Sequence, residues 1–180
     1  MAYKIPVPKG AGDFFEKGNN YHCENSMTLA YGLHDTTKAD VQKVCDRATE
    51  SYAREILDWP NSGRFDKPDI FKADDTEGEL KSLEDCTKRF VNHLAGLFQS
   101  SPPYDLPTYP HAFIVIDGKA ESVKSATLVI AHQPDEGERW QVEHCSVLVH
   151  VELGLAVESL RMGDIPEQDL LGQQREKEQT

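Results

Sequence analysis

The chain has 180 residues, 38% hydrophobic and 28% charged, enough for one domain that buries roughly 70% of the surface its unfolded form exposes. Its 19 Lys and Arg against 31 Asp and Glu leave a formal net charge of -12 and a pI near 4.9. That balance disfavours nucleic-acid backbones and anionic membranes, and allows basic proteins, cations or neutral small molecules as partners.

Residues Met1–Gly10 show no apolar h-region, and no stretch approaches the ~18 apolar residues of a membrane span, so the expectation is a cytoplasmic protein without a membrane partner. Pro6, Pro8, Gly10, Gly12 and Gly18 make 1–26 read as an irregular arm. Met27, Leu29 and Tyr31 share one parity and predict a short strand. From Thr37 the period changes: Val41, Val44, Cys45, Ala48, Tyr52 and Ile56 recur at three or four, predicting a helix over 37–57 that Thr37 and Asp40 open as a capping box. Residues 60–75 read as a loop with a short strand near Asp69–Lys72. A second helix over 76–98 is predicted from a Thr76 to Glu79 box and the stripe Leu80, Leu83, Thr87, Phe90, Val91, Leu94, Leu97 and Phe98.

Four prolines in Ser100–Pro110 predict an extended linker inside the domain. Strands follow at His111–Ile116 and Ala126–His132, each ended by turn residues, and a third begins at Arg139–Glu143. Val147 to Val157 alternate as a strand would, while Leu148, Val151, Leu155 and Ala156 suit a helix face, and periodicity leaves both open. A helical turn is expected after Pro166, and 173–180 reads as a polar tail that frays. The cysteines Cys23, Cys45, Cys86 and Cys145 form no C-x-x-C pair and read as reduced thiols, mostly buried. The expected architecture is a single α+β domain over 27–172, with both long helices on one face of a mixed or antiparallel sheet built mainly from 111–157.

The stretch Tyr109–Ile165 joins an aliphatic strand closing in Asp117, a second strand before Asp135-Glu136-Gly137, an arginine and aromatic strand at Arg139-Trp140, and an apolar segment. In these elements it resembles the carboxy-terminal half of DUF6924, an uncharacterised domain family of bacteria and fungi. The resemblance covers about a third of the chain and implies a compact α/β arrangement; it carries no activity or site residues.

Candidate chemistry starts from histidine. On a single strand over 140–153, His144, His150 and Glu152 would share a face and supply an iron or zinc site, with His132 as a further ligand. Their spacing of six and then two fits no familiar metal box, and a solvated polar face is the simpler reading. Tyr21-His22-Cys23-Glu24 places a thiol beside an imidazole, but adjacent strand residues point apart. Asp117 closes a strand beside Gly118, and His34-Asp35 precedes the first long helix; turn formation and capping explain both equally well.

Two functional classes follow. The first is a non-catalytic acidic interaction or ligand-binding domain with a protein or small-molecule partner, no nucleic acid and no cofactor. The second is a cofactor-free isomerase, cyclase or hydrolase in which His132, His144 or His150 acts as general acid or base near Asp117. That class needs an imidazole within roughly 3 Å of a partner in a water-poor cleft.

Overall fold

The computed structural model describes residues 3–63, 66–75, 78–100 and 104–180. Phe65, Thr76, Pro102 and Pro103, which entered the loop, capping-box and linker expectations, lie outside them.

Six strands form one mixed sheet: β1 (Lys4–Ile5), β2 (Met27–Leu33), β3 (Phe71–Ala73), β4 (Thr108–Asp117), β5 (Ser125–His132) and β6 (Gln141–Leu148), in the order β1-β6-β5-β4-β2-β3. Strand β2 runs parallel to both β3 and β4, whereas β4-β5, β5-β6 and β6-β1 are antiparallel. The helices are α1 (Ala11–Gly18), α2 (Lys38–Ile56), α3 (Leu83–Ser100), α4 (Val151–Met162) and α5 (Glu167–Gln179). The α+β class is as expected.

The two long helices do not share a face of the sheet. Strand side chains alternate, so Ile114, Ile116, Leu128 and Ile130 point to a core that α2, α4 and α5 cover. Phe113, Val115, Val129 and Ala131 point the other way, to a second core under α1 and α3. The runs at 111–116 and 126–132 are apolar at both parities because both faces are covered, which a one-sided arrangement leaves unexplained.

Local chemistry sets the ends of these elements. Thr37 caps α2 through a reciprocal box: the Asp40 amide donates to Thr37 Oγ1 at 3.1 Å and the Thr37 amide donates to Asp40 Oδ2 at 3.2 Å. Helix α3 begins later than the apolar stripe predicts, because Ser82 Oγ accepts from the Asp85 amide at 3.1 Å and caps it there. The expected linker ends inside β4. Its Pro110 falls where the β2–β4 register jumps from Met27↔Thr108 to Leu29↔Phe113, a bulge in which a missing N–H costs no ladder bond.

The amino-terminal arm is also more ordered than its breakers suggest. Gly10 at φ 79° opens α1, and Gly18 ends it so close to β4 that a Cβ there would lie 2.7 Å from Pro110. The ambiguity over 145–157 resolves into both readings in turn: β6 ends at Leu148 and α4 begins at Val151. Leu153, Ala156, Val157 and Leu160 then face the core at helical spacing. Residues 173–180, expected to fray, lie mostly within α5, where Leu170, Leu171 and Gln174 are buried. Among the described residues no helix is long and apolar enough to cross a membrane.

Candidate functional site

Antiparallel pairing of β5 with β6 places His132 opposite Gln141 and Ile130 opposite Glu143. His132 and Glu143 are therefore diagonal neighbours on one face, within reach of each other. His132 Nε2–H donates to Glu143 Oε2 at 2.7 Å, and the two side chains are only 5% and 12% exposed. The carboxylate is an acceptor only, so Nε2 carries the proton of this bond. The other ring nitrogen, Nδ1, is buried and has no partner among the described residues.

Helix α5 closes the site from above. Arg175 Nη2 lies 3.5 Å from Glu143 Oε1 and donates to the His144 carbonyl at 3.4 Å, while the guanidinium lies 4.3 Å from the Tyr3 ring centre. Its Nε is likewise buried without a partner. A cleft of about 380 Å³ opens here between the β5–β6 end, β1 and α5, lined by Lys4, His132, Gln141, Glu143, Gln168 and Arg175. His132 is a buried imidazole held by a carboxylate in the wall of the cleft; its Nδ1 is closed to solvent, so it can meet a ligand only where the wall gives way.

The other sequence candidates do not converge on it. Asp117 sits at the opposite end of the β4–β5 ladder, where it pairs with His34 Nδ1 at 3.2 Å; both side chains are more than half exposed. His144 has the parity opposite to Glu143 and rests edge-on against Tyr3, with ring centres 5.7 Å apart. The proposed set of His144, His150 and Glu152 is dispersed because the strand stops at Leu148. His150 precedes α4 and lies 3.5 Å from Glu55, and Glu152, in the first turn of α4, lies 3.4 Å from Lys177. Among the described residues no group of three His, Cys, Asp or Glu is placed to hold a metal ion. Cys23 donates its S–H to the Tyr21 carbonyl at 3.6 Å, and burial raises its pKa above the ordinary thiol range.

A second opening lies where the parallel strands end. The loop after β2 leads to α2 on one face and the loop after β3 leads to α3 on the other, which is the topological switch point of the sheet. The crevice is about 120 Å³, and its charges are internally paired: Arg89 with Asp74 at 3.2 Å and Lys38 with Asp75.

Sequence reasoning named His132 but missed Glu143 and Arg175. Glu143 was legible in principle, since a hairpin register joining 126–132 to the strand after Arg139 brings one of its acidic residues onto the His132 face. Arg175 was hidden in a segment read as a tail. Comparison with protein-family models, curated proteins and solved structures finds no significant match to this chain.

Proposed function

We propose that this protein is a small-molecule-binding domain whose site is the cleft between the β5–β6 end and α5. The reading rests on His132, a 5% exposed imidazole held by Glu143 at 2.7 Å whose other nitrogen has no partner among the described residues, in the wall of a cleft of about 380 Å³. Buried polar atoms are nearly always satisfied, so an unpartnered one in a residue that lines a cavity supports a bound donor that reaches it where the wall gives way. The alternative of an acidic surface that docks a protein rests on net charge alone, which names no patch.

The test is a thermal-shift screen of small polar compounds on the full chain, repeated with His132→Gln. A ligand at a hundred times its dissociation constant stabilises by about 2.7 kcal/mol. The reading requires at least one compound to raise Tm by several degrees in the parent and not in a folded His132→Gln variant. Compounds that raise Tm equally in both would place the binding site elsewhere.

The same 2.7 Å hydrogen bond favours a second reading, acid–base catalysis without a cofactor, with His132 Nδ1 taking a proton from substrate and Glu143 as its positioning residue. Deuterium exchange into a carbon acid bound in the cleft, lost in His132→Gln, is its signature. Binding without exchange leaves the domain a binder.

A further inference from the structure

We infer that the ligand of this cleft is a small monocarboxylate; the inference rests on the binding reading above. On a chain of net charge -12, the charged residues lining the cleft are Lys4, Arg175 and Glu143, besides His132. Setting His132 aside, the two cations outnumber the one carboxylate by a single charge. Local charge decides what a cleft concentrates, and this one is set to attract an anion against the sign of the whole molecule.

The cations are differently placed. Arg175 is held on three sides, by Glu143, the His144 carbonyl and the Tyr3 ring, so its guanidinium is rigid. Lys4 stands directly across the strand pair from Glu143, is exposed, and makes no ion pair among the described residues. A carboxylate entering between them acquires a mobile ammonium and a fixed guanidinium. Glu143 stands in the same wall and repels a dianion, so a monocarboxylate fits better than phosphate.

The experiment titrates lactate, propionate, lactamide and inorganic phosphate into the full-length chain by NMR, in low and high salt, with Lys4→Gln and His132→Gln alongside. Lys4 is exposed, so its variant keeps the fold. The expected order is lactate and propionate alike, with lactamide and phosphate weaker than both; Lys4→Gln weakens lactate about threefold to fivefold, and salt weakens it further. Lactamide binding as well as lactate, or lactate binding unchanged by Lys4→Gln and by salt, overturns the carboxylate assignment while leaving the cleft a binding site if His132→Gln still abolishes the response. Phosphate binding more tightly than lactate overturns the monoanion assignment in the same way. Absence of any response at the cleft residues, in this set and in the wider screen, removes both this inference and the binding reading beneath it.

Discussion

His132 and Glu143 meet on one face of the β5–β6 hairpin with Nε2 and Oε2 2.7 Å apart, both nearly out of solvent, and Arg175 of α5 reaches the second carboxylate oxygen at 3.5 Å. The pair thus does two things: it orients an imidazole toward a cleft, and it ties the carboxy-terminal helix to the sheet.

Removing Glu143 should therefore be felt in stability as well as in binding. Glu143→Ala leaves a buried imidazole N–H and a guanidinium without their acceptor, and is expected to cost about 2–3 kcal/mol. Chemical denaturation measures the loss, and hydrogen exchange should show α5 amides losing protection before those of β4 and β5.

The α2–α4 contact is set by a missing side chain. A Cβ on Gly154 would lie 2.6 Å from Tyr52 Cβ and 3.0 Å from its Cγ, atoms close to the backbone that cannot swing aside. Gly154→Ala should destabilise by ~1–3 kcal/mol, lowering Tm by a few degrees for each kcal/mol. Gly96→Ala, where nothing lies within 4 Å, is the control and should be neutral or stabilising.

Two groups should make stability fall on acidification, in separate windows. His111 is buried, its Nε2–H donates to the Phe15 carbonyl at 2.8 Å, and burial depresses its pKa below the ordinary imidazole value. The unfolded chain therefore takes up this proton first. Its stabilisation is complete above about pH 6.5 and is lost as pH falls toward the lower folded value. Asp40 is held well below the carboxylate range by the Thr37 hydroxyl first and the Ala120 amide second. Its contribution is present above about pH 4 and lost below it. In melting curves across pH 3–8, His111→Gln should flatten the upper limb and Asp40→Asn the lower one.

The thiols should divide by burial. Cys45, Cys86 and Cys145 are buried, and desolvation pushes each up to about 12; Cys23 is partly exposed. With a thiol reagent at pH 8, native protein should show a single reacting cysteine, slower than a free thiol and mapped by peptide mass to Cys23. The other three should react only after unfolding.

What the sequence made legible followed from local rules. The capping box at Thr37, the stripe of α3 and the β-branched runs at 111–116 and 126–132 all report on neighbours a few residues apart, and all appear as elements. The placement of the two long helices was not legible, because it depends on which face each crossover takes. The doubly apolar pattern of β4 and β5 was the overlooked sign that both faces are covered. Helix α5 was expected only as a turn after Pro166 and its extension was missed, because its surface is polar and only Leu170, Leu171 and Gln174 of it are buried. The site suffered accordingly: His132 was visible as a type, but its partners come from a hairpin register and from that missed helix. His144 and His150 looked equivalent to it only while 140–153 was imagined as one strand.

The most direct measurement is a two-dimensional NMR titration of the isotopically labelled chain with lactate. The account predicts saturable shifts concentrated on His132, Gln141, Glu143, Gln168, Gly172 and Arg175, with the His132 ring nitrogens among the most perturbed. Shifts confined to the His34–Asp117 end of the sheet, or none at saturating concentrations of any small polar ligand, would contradict it.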